Sequence, residues 1–334
     1  MILHKNNIMM SAIQSFPQLQ ETVARLFQSE NFLQQPAELY APIDYTLQLG
    51  GKRIRPVMLL ASCQLFNGDI AKAYDSAVGI EVFHNFTLLH DDLMDHSPLR
   101  RGVETVYRKW DENTAILSGD AMLIMAYQYL CRKPSNRLHD IISTFNNMAN
   151  EVMMGQQYDM NFESRDDVAV EEYLDMIYLK TAALFNGALR IGALIADAEE
   201  SQLLPLHTFG RHLGLAFQIQ DDLLDTFGNV TTFGKKPGQD IRDNKKTMLL
   251  ITALHKSSPS QLDELQHWMA APESDEKVEA VRAIYNSLHI AEDMEQHIAS
   301  HYQQASQALE SINAPDANKQ PMQDLMQHLL HRSH

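Results

Sequence analysis

Two Asp-Asp-x-x-Asp clusters constrain this chain more than any other feature. Asp91, Asp92 and Asp95 lie among Leu88, Leu89, Leu93 and Met94, while Asp221, Asp222 and Asp225 lie among Phe217, Ile219, Leu223 and Leu224. Both sit where apolar residues recur at three- and four-residue steps, the spacing of one helix face. Residues four apart share a face, so Asp91 stands over Asp95 and Asp221 over Asp225, with the middle aspartate of each cluster about 100° away. Pro98 disfavours helical geometry at Ser97, and Gly228 is a natural stop, so each cluster falls at a helix C-terminus. Like charges four apart repel by a few tenths of a kcal/mol, and the helix dipole adds roughly 0.3–1 kcal/mol per charge against them. Such carboxylates need a counter-charge. One cluster alone reads equally well as a solvated acidic face; two, each crowded by large apolar residues, predict claws that open into an apolar cleft. Oxygen donors without cysteine or paired histidine suit a hard cation, Mg²⁺, sharing its remaining positions with substrate phosphates. The spacing does not fit an EF-hand loop.

The helical period continues along most of the 334 residues, as at Val78, Val82, Phe86, Leu89 and Leu93, and strict alternation is scarce. This predicts an all-α fold. Breakers at Gly50-Gly51, Ser97-Pro98, Pro134-Ser135, Gly228-Asn229, Pro237-Gly238, Ser258-Pro259 and Ala271-Pro272 divide it into roughly ten or more helices. Ser258, Pro259 and Gln261 form a capped helix start, its helix running to about Trp268. Without repeats or a low-complexity linker, residues 1–334 read as one domain, with fraying expected over 1–15 and 325–334. Apolar residues at 45% and charged residues at 21% exclude a disordered chain, and a net charge of -16 argues against a nucleic-acid partner. Cys63 and Cys131 cannot build a disulfide framework, and neither a signal segment nor an apolar run of about 18 residues is present. The expected setting is cytoplasmic, without a transmembrane segment.

Cations gather beside glycines. Gly50-Gly51-Lys52-Arg53-Ile54-Arg55-Pro56 opens a helix, so a helix N-terminus and up to three cations converge in a diphosphate-sized site. Arg100-Arg101-Gly102 follows the first cluster closely enough for a guanidinium to grip the same phosphates. Lys180-Thr181 and the run from Gly234-Lys235-Lys236 to Lys245-Lys246 add further cations, without P-loop spacing. No nucleophile–base pair stands out. Departure of a diphosphate to leave a carbocation, shielded in an apolar helical cavity, is the chemistry that remains.

Taken in order, Gly50 to Pro56, His84 with the first cluster, Arg100-Arg101-Gly102, Gly155-Gln156, Lys180-Thr181, Gln218 with the second cluster, and Lys235 resemble the trans-prenyl diphosphate synthases across nearly the whole chain. These enzymes join isopentenyl diphosphate to an allylic diphosphate. The resemblance implies a single antiparallel bundle of the isoprenoid synthase type with a central cavity, paired as a homodimer. It implies two Mg²⁺ at Asp91 and Asp95 and a third at Asp221, with Asp92 a further metal contact. Asp91, Asp95, Arg100, Lys180 and Asp221 would carry catalysis. Arg100, Lys180, Thr181, Gln218, Lys235 and Lys245 would line the allylic diphosphate site, and Lys52, Arg55, His84 and Arg101 would hold isopentenyl diphosphate. In this family the released pyrophosphate is thought to take the final proton. Asp243-Asn244-Lys245-Lys246 stands where a Gly-Lys is common.

Phe86 and Thr87 lie five and four residues before Asp91, so Phe86 is about 7.5 Å down the helix axis. It is either a floor for the growing tail or an ordinary core aromatic. In relatives an aromatic at this offset goes with products of fifteen or twenty carbons. Two other readings are weaker. A class I terpene cyclase would carry an Asn/Asp-Asp-x-x-Ser-x-x-x-Glu motif, which is absent, and a non-catalytic partner subunit can lose its carboxylates, which here are complete.

Overall fold

A helix that is apolar all round must be covered all round, and two segments meet that description. In the computed structural model, which describes residues 13–228 and 238–331, Ile54–Leu65 and Ala183–Ile195 are buried on nearly every side and form the centre of the molecule. In chain order the helices are α1 (Phe16–Ser29), α2 (Ala37–Gln48), α3 (Ile54–Leu65), α4 (Tyr74–Met94), α5 (Val106–Lys109), α6 (Glu112–Leu130), α7 (Leu138–Glu163) and α8 (Val170–Ile177). They continue with α9 (Ala183–Ile195), α10 (Glu200–Phe227), α11 (Gln239–Arg242), α12 (Met248–Lys256), α13 (Pro259–Ala270), α14 (Asp275–Ser287), α15 (Ile290–Ser311) and α16 (Asp316–Leu330). Around the centre, α9 packs on α3, α7 and α10, α4 lies along α6, and α15 backs α10. Ser62 Oγ donates to Leu189 O at 2.6 Å, so α3 and α9 lock together with the hydroxyl satisfied in the dry core.

The all-α expectation holds. Ser258 caps α13 as its sequence suggests, its backbone N–H donating to Gln261 Oε1 at 3.0 Å, and the helix runs to Ala270. Two features depart from expectation. A short antiparallel hairpin, β1 (Leu99–Arg100) and β2 (Val103–Glu104), follows α4, turning through Arg101 and Gly102 at positive φ. Within the stretch expected to fray from 325, α16 continues to Leu330, with Leu325, Met326 and Leu329 buried and Leu330 O accepting from Gln220 at 2.9 Å. Gln14 and Gln64 exchange two hydrogen bonds, at 3.1 and 2.7 Å. Among the described residues no helix is long and apolar enough to cross a membrane.

Candidate active site

Both acidic clusters end helices. Asp95 caps α4, His96 turns the chain out at φ 51°, and Ser97 N–H donates back to Asp92 O at 2.9 Å. Gly228 caps α10, donating to Leu224 O at 2.8 Å. The carboxylates therefore meet the negative ends of two helix dipoles, where only added positive charge makes them tolerable.

Protein cations supply part of that charge. Lys180 Nζ donates to Asp159 Oδ2 at 2.6 Å and lies 3.5 Å from Asp91 Oδ1. Burial works against the ammonium, yet Asp91 and Asp159 hold it above its ordinary range. Lys245 also gains charge affinity against burial, from Asp159, Asp240, Asp95 and Asp91. Asp240 in turn feels Asp222 and Asp225, and its backbone N–H donates to Asp225 Oδ2 at 3.0 Å. Lys245 N–H donates to Asp240 O at 2.9 Å, and its ammonium feels Asp95 and Asp91 of the first cluster as well as Asp222 of the second. Its neighbour Lys246 turns away to Asp166, at 3.0 Å. Lys235 lies outside the described residues.

The middle aspartates point into protein. Asp222 is buried and accepts from Tyr173 Oη and, at 2.9 Å, from Gln218 Nε2; Gln218 Oε1 accepts from Thr181 Oγ1 at 2.8 Å. This chain aligns Thr181 and Gln218 beside Lys180. Asp92, expected as a further metal contact, is engaged by the protein. Buried to 5% exposure, it receives Arg100 Nε at 2.7 and 2.8 Å and Arg100 Nη2 at 2.7 Å. The 100° offset along α4 turns Asp92 under the hairpin, where it fixes the guanidinium whose Nη2 lies 3.8 Å from Asp91.

Lys180 and Thr181 sit on a π-helical turn, Tyr178–Ala182, between α8 and α9. Gly155 makes the approach of that turn possible, because a Cβ there would stand 2.3 Å from Lys180 N. Asp159, one turn further along α7, completes the pair. Sequence reasoning passed over Asp159 and Asp240. The only sequence signal for Asp159 is that it shares the helix face of Gly155.

The second group of cations gathers beside α4. The two adjacent arginines of the hairpin part company: Arg100 serves the acidic cluster, while Arg101 donates to Gly50 O and covers Gly51, where a Cβ would lie 2.6 Å from its Nη2. Arg55, in the first turn of α3, places its guanidinium 5.3 Å from the Phe185 ring centroid. His84 faces the same charges; burial first, then Arg55, Arg101 and Arg100, drive it well below its ordinary range, so it is a neutral donor or acceptor. Lys52 is exposed on the loop before α3. Arg53 does not join them. It turns back to Leu47 O at 3.2 Å and lies over the Phe27 ring at 4.1 Å. Phe86 is buried against Phe83 and His90, with centroids at 5.6 and 4.8 Å, and Thr87 Oγ1 donates to His84 O at 2.8 Å.

The donor set fits a divalent ion that also binds substrate. Asp91 Oδ1 is buried and accepts no hydrogen bond, and burial together with Asp91 raises the Asp95 carboxyl to about 6 even though Lys245 and Lys180 oppose the shift, so the pair can take further positive charge. Among the described residues no three ligand side chains close on one point, so the protein alone does not form a cage. Carboxylates at an open hollow are the arrangement Mg²⁺ uses when phosphates complete its shell.

An all-helical bundle with two acidic helix ends and two groups of cations has the charge distribution of a class of protein that handles diphosphates. The polyprenyl synthetase family model matches residues 36–288. The chain belongs to that family. It is 42% identical over 221 residues to the geranylgeranyl diphosphate synthase of Sulfolobus acidocaldarius, covering 65% of this chain and 67% of that one. A crystal structure of a geranylgeranyl pyrophosphate synthase superposes with a TM-score of 0.91 at 40% identity, over 96% of this chain and 100% of that one. The Corynebacterium glutamicum geranylgeranyl pyrophosphate synthase, solved with isoprenyl diphosphate and magnesium, gives 0.86 at 26% identity, over 96% and 100%.

Proposed function

We propose that this chain is a Mg²⁺-dependent prenyltransferase that condenses isopentenyl diphosphate with an allylic diphosphate, releasing pyrophosphate and a trans-prenyl diphosphate of fifteen to twenty carbons. The observation that carries the proposal is the pair of contacts that tie Lys245 to the second cluster, its N–H donating to Asp240 O at 2.9 Å and Asp240 N–H donating to Asp225 Oδ2 at 3.0 Å, while Asp95 and Asp91 of the first cluster help raise its ammonium. The two acidic helix ends then address one ligand. Asp91, Asp95 and Asp221 would hold the ions, three with substrate bound. Magnesium there supplies charge stabilisation to the departing diphosphate.

The chain's own residues do the remainder. Lys180, Lys245 and Arg100 would bind the leaving group, an interaction that strengthens as negative charge develops. Thr181 and Gln218, locked to each other and to Asp222, would turn fixed dipoles towards the cationic carbon. Arg55, Arg101, Lys52 and neutral His84 would hold the second diphosphate so that its alkene faces that carbon. No protein base is required if the released pyrophosphate accepts the proton. Phe86 would set the floor of the tail pocket. The whole chain acts as one domain, in the cytoplasm, as a homodimer. Leu117 and Ile124, two turns apart on one face of α6 and 60% and 58% exposed, suit a face that a second copy covers.

Purified protein given Mg²⁺, labelled isopentenyl diphosphate and allylic diphosphates of five, ten and fifteen carbons should form an elongated linear diphosphate. Asp91→Asn should lower kcat by about a thousandfold, the several kcal/mol that a bound metal contributes to such charge. Phe86→Ala should lengthen the product. A cyclic hydrocarbon, or no incorporation of label, would remove the proposal, and an unchanged chain length in the variant would remove Phe86 as the stop.

A further inference from the structure

Lys245 stands on a turn that α13 and α14 hold from behind. In α11 the carbonyls of Gly238, Gln239 and Ile241 accept from the N–H groups of Arg242, Asp243 and Asn244, and Asp240 O accepts from Lys245 N–H at 2.9 Å. The next carbonyl, Arg242 O, accepts from a side chain. Lys277 Nζ, in the first turn of α14, donates to it at 3.3 Å and to Ala271 O, at the end of α13, also at 3.3 Å. Lys277 is 1% exposed. An ammonium that deep is costly unless its donors are met, and carbonyls at helix C-terminal ends carry partial negative charge that meets them. An apolar side chain of the same length would fill the space without that cost; what the lysine adds is a tie between α14 and the turn. Other side chains pin the same turn: Asn244 Nδ2 donates to Met269 O at 3.0 Å, and Arg242 Nη2 lies 2.6 Å from Asp275 Oδ1. Asp240, Asn244, Lys245 and Lys277 line one small void. Further along α14, Arg282 Nε donates to Thr226 O at 2.6 Å, so α14 also holds the end of α10 that carries the second cluster.

We infer that Lys277 is a positioning residue: by fixing Arg242 O it sets the turn on which Asp240 and Lys245 stand, and with it the reach of the Lys245 ammonium towards the allylic diphosphate. The inference rests on the prenyltransferase reading, in which Lys245 binds the leaving group. Lys277, buried behind the turn, would touch no substrate. Its loss should fall on the allylic diphosphate and spare isopentenyl diphosphate, whose cations stand on α3, its preceding loop and the hairpin.

Steady-state kinetics of Lys277→Met, which keeps the length of the side chain and removes its donors, test this. The KM for the allylic diphosphate should rise about tenfold, the low end of what loss of a supporting partner costs around a metal site. The KM for isopentenyl diphosphate should change little. In a Lys245→Met background the same substitution should add less than it does alone, because the side chain that Lys277 positions is already gone. If Lys277→Met does not fold, Lys277→Gln, whose shorter side chain keeps donors without the charge, is read in the same way and should raise the same KM. An unchanged KM for the allylic diphosphate, equal increases for both substrates, or full additivity with Lys245→Met would overturn the inference while leaving an active wild type. Failure of both variants to fold would assign Lys277 to stability alone and overturn it too. A wild type that makes no product would instead remove the prenyltransferase reading.

Discussion

Tyr173 shows how a residue outside the metal-facing set can decide the shape of the site. Its hydroxyl donates to the buried Asp222, which also accepts from Gln218, and Gln218 in turn accepts from Thr181. Tyr173→Phe leaves a buried carboxyl short of one donor, and such a loss costs about 1–3 kcal/mol. Chemical denaturation should report a fall of that size, with no fall placing the hydroxyl outside the network. A second residue-scale expectation concerns pH. His212 Nδ1 and His301 Nδ1 lie 2.9 Å apart, so one ring must donate and the other accept. Burial first, then His212, His297 and Arg211, lower His301 to about 4. With its folded value below the ordinary 6.5, the neutral ring's contribution is complete above pH 6.5 and is lost as pH falls towards 4. The melting temperature of His301→Gln should therefore decline less steeply than that of wild type across this window; parallel curves would contradict the assignment.

At the scale of elements, the π-helical turn at Tyr178–Ala182 depends on a close approach between α7 and the start of α9. A Cβ at position 155 would meet the Lys180 backbone at 2.3 Å, contact that a packed backbone cannot relieve without moving. Gly155→Ala should cost about 1–3 kcal/mol in stability and lower kcat by displacing Lys180. Near-wild-type kinetics would show the turn to be dispensable. Element-level features were unequally legible in the sequence. Both helix ends could be read, because Pro98 and Gly228 are local signals that act through the backbone. The hairpin at Leu99–Glu104 could not, since two-residue strands carry no period, and with it went the separation of Arg100 from Arg101. The turn from Asp91 to Asp92 was readable as an angle, but the partner that Asp92 meets there, Arg100, arrives by way of that hairpin. Asp159 was invisible for a different reason: a lone aspartate on a long helix gains meaning only when another helix brings Lys180 to it.

For the whole molecule, the order of helices brings residues distant in sequence together. α3 and α9, buried on nearly every side, form the centre; Lys180 ties α4 to α7 through Asp91 and Asp159, and Asp240 joins Lys245 to α10 through Asp225. The periodicity that fixes the helices also hides the termini, whose order comes from contacts such as Gln14 with Gln64 and Gln220 with Leu330. The central claim is that the two acidic helix ends act on the same diphosphate through shared divalent ions. Anomalous diffraction from crystals grown with Mn²⁺ and a non-cleavable allylic thiodiphosphate tests it most directly. Ion peaks at Asp91 with Asp95 and at Asp221, all contacting one diphosphate, are expected; ions confined to one cluster, or two clusters bound to separate ligands, would contradict the account.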